Sequence, residues 1–219
     1  MKVGTDGVLL GATASLKNHP NSILDIGSGT GLIALMLAQR SSAEYIDAIE
    51  LDDNAYEQCV ENFEHSPWAD RLFCYHASFQ EFYREMEEPY DTIVSNPPFF
   101  SGNVTSGNHA RDKARQNSAL PFEQLFVGVK KLLAKNGVFS LIVPISEEPW
   151  VLELARKMAL FPFEIWYLRG NPRVPFKRCI LQFTYTETSI IKEELTIEME
   201  RHQFTQEYIQ LTKAFHLKL

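Results

Sequence analysis

Leu24-Asp25-Ile26-Gly27-Ser28-Gly29-Thr30-Gly31 decides how the rest of the chain is read. It closes a short apolar run, Ser22–Ile26, and opens onto Leu32–Arg40, where Leu32, Leu35, Met36 and Leu37 recur at helical spacing. A strand, a glycine turn and a helix in that order form the ligand-binding corner of a doubly wound α/β sheet, at the carboxyl ends of its strands. The spacing is Asp-x-Gly-x-Gly-x-Gly, not the GxGxxG of dinucleotide-binding folds.

The acid two places before Gly27 separates the candidate ligands. A carboxylate there repels a pyrophosphate and suits a ligand with an ammonium group. S-adenosylmethionine is such a ligand, an adenosine carrying a methionine arm in place of phosphates. Glu50 ends the next strand, Tyr45–Leu51, nineteen residues after Gly31, where an acid accepts both hydroxyls of a ribose. Read as structure alone, the glycine stretch is a tight strand-to-helix turn; Asp25 and Glu50 in their places argue for a site. After the third strand, Leu72–His76, the chain has Ser78 and Phe79, which are expected to meet the adenine.

A fourth strand, Tyr90–Ser95, ends at Asn96-Pro97-Pro98-Phe99. In a doubly wound sheet this strand lies beside the first, so the turn faces the ligand's reactive end. An exocyclic amine on adenine, or a glutamine amide, is a poor nucleophile because its lone pair is delocalised. The Asn96 carbonyl and the main-chain carbonyl of Pro97 can accept its two N–H groups and turn the lone pair toward an electrophilic methyl. The prolines fix those carbonyl directions, and Phe99 offers a ring for a planar target to stack on. Asn96, Pro97 and Phe99 are therefore the candidate catalytic residues.

Outward from this centre, strands and helices alternate, which predicts α/β with a mostly parallel sheet. Phe100–Leu120 reads as a long loop, Pro121–Lys135 as a helix, Gly137–Val143 as a strand and Glu147–Leu160 as a helix. Glu164–Leu168 and Cys179–Tyr185 read as two last strands. Residues 1–185 are read as the enzyme domain and 186–219 as an acidic, partly helical tail or an extension of the same domain. With 219 residues, 45% hydrophobic and 22% charged, the chain suits a soluble globular protein. No apolar stretch approaches a membrane span and the first residues lack a signal-peptide layout, so a cytoplasmic protein without a membrane partner is expected. Cys59, Cys74 and Cys179 form no CxxC pair, so packed thiols and no metal are expected.

Asp25–Gly31, Glu50 and Asn96–Phe99 together resemble class I S-adenosylmethionine-dependent methyltransferases of amino groups. The opening run Met1-Lys2-Val3-Gly4-Thr5-Asp6-Gly7-Val8-Leu9-Leu10-Gly11, with His65-Ser66-Pro67-Trp68 and the Phe99–Arg115 loop, narrows the resemblance to bacterial tRNA1(Val) (adenine-37-N6)-methyltransferases. That resemblance implies a Rossmann-like seven-stranded sheet with the last strand antiparallel. It implies S-adenosylmethionine as donor and an adenine N6 in the anticodon loop of a tRNA as acceptor. Lys2, Gly4, Thr5 and Asp6 would then lie near the methionine end of the cofactor. Asp25, Gly27, Gly29 and Gly31 would hold it from the first loop, and Glu50 would hold its ribose. That family usually has a short segment ahead of the Lys2–Gly7 run, and the tail after Tyr185 is longer than it leads one to expect.

A net charge of −7 has the wrong sign for phosphate contacts, so a tRNA substrate requires a local basic patch. Two stretches supply one: Arg111, Lys113 and Arg115 after the Asn-Pro-Pro-Phe turn, and Arg169–Arg178, with Arg173, Lys177 and Arg178 and no acid. A protein-glutamine N5 methyltransferase would use the same Asn-Pro-Pro-Phe turn, and a catalytically silent RNA-binding module would need none of it. No obligate protein partner is evident.

Overall fold

A computed structural model describes residues 4–98 and 120–215. Lys2, Phe99, Arg111, Lys113 and Arg115 lie outside the described residues, as does most of the connection read as a long loop. Helix α1 (Thr5–Thr13) comes first. Strands β1 (Ser22–Ile26), β2 (Tyr45–Glu50), β3 (Leu72–His76) and β4 (Tyr90–Ser95) then alternate with α2 (Leu32–Arg40), α3 (Asp53–Glu64) and α4 (Phe79–Glu85). Helices α5 (Phe122–Leu132) and α6 (Glu148–Lys157) flank β5 (Leu133–Pro144), and β6 (Phe161–Arg169) and β7 (Arg178–Thr184) follow.

The strands form one eight-stranded sheet in the order β3-β2-β1-β4-β5-β7-β6-β8, with β8 at Ile191–Thr196. Only β7 runs antiparallel to its neighbours β5 and β6. The class is the expected α/β doubly wound one. The sheet has one strand more than the expected seven, because the tail adds β8 parallel to β6 and keeps its Leu195 in the core. A short hairpin of β9 (Glu198–Glu200) and β10 (Gln203–Phe204) and helix α7 (Gln206–Thr212) complete the described chain.

Side chains of the central strands alternate between the two faces, as the pleat requires. Leu24, Ile93, Leu141 and Leu181 pack with α4, α5 and α6 on one side. Ile23, Val94, Ile142 and Ile180 pack with α1, α2, α3 and α7 on the other. Burial on both faces explains why these strands read as near-continuous apolar runs. Among the described residues no helix is long and apolar enough to cross a membrane.

Candidate active site

The carboxyl ends of β2, β1 and β4 stand side by side. Ile26 is paired with Ile49 on one flank and with Ser95 on the other. The glycine loop, Glu50 and Asn96 therefore leave the sheet from one edge, one residue past that row. Ser95 strengthens the join by donating its hydroxyl to the Ile26 carbonyl at 2.9 Å.

The loop is shaped by left-handed backbone at Gly27, Gly29 and Gly31, with φ of 71°, 59° and 80°. Gly27 is exposed, and a Cβ there would meet nothing within 4 Å, so its backbone borders open space on which a ligand can lie. Gly31 is the opposite case. It is buried, and a Cβ would stand 2.5 Å from the Phe63 ring and 2.8 Å from Cys59 Sγ. The amides of Gly27 and Ser28 both donate to the Ile49 carbonyl at 3.0 Å, and the Asn62 side chain donates to the Thr30 carbonyl at 2.9 Å. The two buried thiols, Cys59 and Cys179, and the half-buried Cys74 are all free.

Glu50 has a structural duty that the sequence does not announce. One carboxylate oxygen accepts the Gly29 amide at 2.7 Å; the other accepts the amides of Leu51 and Asp52, each at 2.8 Å. A carboxylate offers about four lone-pair sites, so roughly one remains for a ligand hydroxyl. Beside it, Leu51 is an apolar side chain 50% exposed at the ligand edge, a feature missed in the sequence because it reads as the last residue of a strand.

Asp25 sits behind the loop and not in it. It is fully buried and accepts the Ala34 amide of α2 at 3.2 Å, so it ties the strand to the helix. Burial, partly offset by that hydrogen bond, pushes its carboxyl up to about 7. Its other oxygen, Oδ1, has no hydrogen-bond partner among the described residues. Asp25 thus has a supporting duty between β1 and α2, with one oxygen left unpartnered among the described residues.

Ser78 and Phe79 are also occupied elsewhere. Ser78 caps α4 in a reciprocal box with Glu81, taking the Glu81 amide at 3.2 Å and donating its hydroxyl to the Glu81 carboxylate at 2.6 Å. Phe79 is buried in the core, edge-on to Tyr83 with ring centroids 5.3 Å apart. The Ser-x-x-Glu spacing was the readable signal for this cap. The end of β3 at this edge is His76, stacked on Tyr56 at 4.8 Å and bonded to the Leu51 carbonyl.

At the other flank Asn96 keeps a partly exposed side chain, Pro97 is buried and Pro98 is exposed. Helix α1 covers this turn: the Cβ position of Gly7 is 3.8 Å from the Asn96 amide nitrogen and 3.4 Å from Leu32. Gly4 and Thr5 are exposed at the start of α1. Asp6 is paired with Arg178, Nε to Oδ2 at 2.9 Å, so the Arg178 guanidinium expected at RNA also has a partner within the chain. Because β6 runs parallel to β5, the Arg169–Arg178 connection emerges at the same edge as the glycine loop. There Arg173 and Lys177 are exposed, while the Arg169 guanidinium lies over the Phe176 ring at 4.8 Å.

The chain matches the family model described as the methyltransferase small domain over residues 7–143. A tRNA1(Val) (adenine(37)-N6)-methyltransferase of Christiangramia forsetii is 55% identical, with all of this chain and 92% of that protein covered. One of the same name from Bacteroides fragilis is 41% identical, again over all of this chain and 92% of the relative. Among solved structures, a predicted O-methyltransferase from Agrobacterium tumefaciens superposes with a TM-score of 0.72. It covers 95% of this chain and 96% of its own, at 18% identity.

Proposed function

The chain belongs to the methyltransferase small domain family and to the tRNA1(Val) (adenine(37)-N6)-methyltransferases, and we propose that it methylates N6 of adenine 37 in that tRNA, from S-adenosylmethionine. The observation that carries this reading is the meeting of the glycine loop, Glu50 and Asn96-Pro97 at three neighbouring strand ends. The residues present fit the cofactor. Exposed Gly27 leaves room for it, Glu50 can take a ribose hydroxyl, and half-exposed Leu51 offers apolar surface to the adenine in place of Phe79. S-adenosylmethionine supplies an electrophilic methyl on a sulfonium. Asn96 Oδ1 and the Pro97 carbonyl accept the two N–H groups of the target amine and aim its lone pair, while Phe99 provides the stacking surface. The work is done at cytoplasmic tRNA, and the exposed Arg173 and Lys177 supply phosphate contacts beside the site. A base in an anticodon loop is unstacked at small cost, so flipping it into the site is cheap.

The reading is tested by methyl transfer to an unmodified tRNA1(Val) transcript, a transcript with guanine at position 37, and a glutamine-containing peptide. Label should enter the first alone. Label in the peptide alone would make this a glutamine methyltransferase, and label in none would leave a silent binding module.

Glu50→Ala should weaken S-adenosylmethionine binding by about 1.5–3 kcal/mol, the range for hydrogen bonds to a charged group. It should also lower the melting temperature, because three backbone amides lose their acceptor. Calorimetry checks the first part and a melting curve the second; unchanged affinity would mean that the loop binds something else.

Replacing Arg173 and Lys177 with Ala should weaken tRNA binding and flatten its salt dependence by about 0.7–0.9 in slope per lost phosphate contact. Cofactor affinity should stay the same. An unaltered slope would move the RNA contacts to Arg111, Lys113 and Arg115.

A further inference from the structure

Strand β7 holds helix α1 at both ends. At its start, Arg178 donates Nε–H to Asp6 Oδ2 at 2.9 Å. Four residues on, the buried Gln182 accepts the Ser15 amide at 2.7 Å and donates to the Thr13 carbonyl at 3.4 Å. Residues four apart in a strand share a face, and here they lie ~13 Å apart. The helical span from Asp6 to Thr13 is ~10 Å, so the two anchors match the helix they hold. Between them Leu9 and Leu10 pack with Ile142 and Ile180.

The two anchors are not equivalent. Gln182 is sealed in the core with Ser140 and Glu164. Arg178 and Asp6 are each about a third exposed, at 35% and 32%, and sit at the ligand edge. The backbone at Arg178 is held from both sides. It is paired with Pro144 of β5 and Leu168 of β6, and the backbone of Lys177 before it is bonded to Leu168 and Ile145. The residue after Asp6 is Gly7, which lies against Asn96 and against Leu32 just past the glycine loop. A shift of this first turn would therefore move the wall shared by the amine-accepting turn and the cofactor loop.

We propose that Arg178 is a positioning residue that, through Asp6, holds the first turn of α1 against Asn96 and the glycine loop, and that it does not bind RNA. The proposal takes the methyl-transfer reading of this edge as given, but its main readouts do not depend on that reading. The test compares wild type, Arg178→Ala, Arg178→Lys and the exchanged pair Asp6→Arg with Arg178→Asp. For each, four quantities are measured: amide hydrogen exchange over residues 5–10, S-adenosylmethionine affinity by calorimetry, tRNA affinity against salt, and single-turnover rate at saturation.

In Arg178→Ala, exchange at residues 5–10 should rise at least tenfold while the melting temperature moves little. Cofactor affinity should fall several-fold and the saturated rate at least tenfold, with tRNA affinity and its salt slope unchanged. Arg178→Lys and the exchanged pair should each recover part of the loss. A flattened salt slope with an unchanged saturated rate and unchanged exchange would overturn the proposal and return Arg178 to the RNA. So would a lower melting temperature with normal rate per folded molecule. If wild type transfers no methyl to tRNA, the methyl-transfer reading fails, while exchange and calorimetry still decide the role of Arg178.

Discussion

Asn96→Ala should lower methyl transfer by about two to three orders of magnitude, the cost of deleting one preorganised hydrogen-bonding group at a reacting centre. The variant removes one of two acceptors for the target amine and leaves the Pro97 carbonyl in place. Cofactor should still bind, because Glu50 and the glycine loop are held by their own bonds to Ile49 and to each other. RNA should still bind, since its affinity comes mainly from phosphate contacts and stacking. Asp in place of Asn keeps an acceptor and should retain more activity than Ala. If Asn96 serves only to shape the turn, the outcome differs: a lower melting temperature and nearly normal activity per folded molecule. Single-turnover methylation with labelled cofactor, beside a melting curve for each variant, separates the two.

Gly31→Ala should be the most damaging single methyl group added to the loop. The residue adopts φ of 80°, and the new Cβ would stand 2.5 Å from the ring of Phe63, which is only 3% exposed. Left-handed backbone costs a non-glycine residue roughly 1–2 kcal/mol. Forcing a methyl into a packed core adds roughly 1–3 kcal/mol. Together they remove a large share of a typical domain stability of about 5–15 kcal/mol. Gly27→Ala is the control, with φ of 71° but open space around its Cβ. It should lose about the strain term alone in denaturant unfolding, and show its larger effect in cofactor affinity. Equal losses of stability in both variants would mean that the contact with Phe63 and Cys59 does not matter.

The central part of this site was legible because its chemistry is written in residue types at short range. An Asp-x-Gly-x-Gly-x-Gly loop, an acid one strand later and an Asn-Pro-Pro-Phe turn each announce themselves within a few residues. What was not legible is of two kinds. Some roles depend on partners far away in sequence: Asp6 and Arg178 are 172 positions apart, and nothing local to either announces their pairing. Others are set by packing that overrides the local pattern. Thr5–Thr13 contains two glycines and is buried from Gly7 to Thr13, so it shows no polar face to mark a helix. Ile191–Thr196 is half charged and mostly exposed, and it becomes a strand because β6 offers it a free edge. The inward turn of Asp25 follows from strand alternation: its neighbours Leu24 and Ile26 face the opposite helical layer.

The most direct measurement is a digest of tRNA1(Val) after incubation with the protein and trideuteromethyl S-adenosylmethionine, read by mass spectrometry of its nucleosides. The account predicts a trideuteromethyl group on N6 of one adenosine, carried by the fragment that holds position 37. Label on another nucleoside, or an adenosine pool left unlabelled while the folded protein binds both cofactor and tRNA, would contradict it.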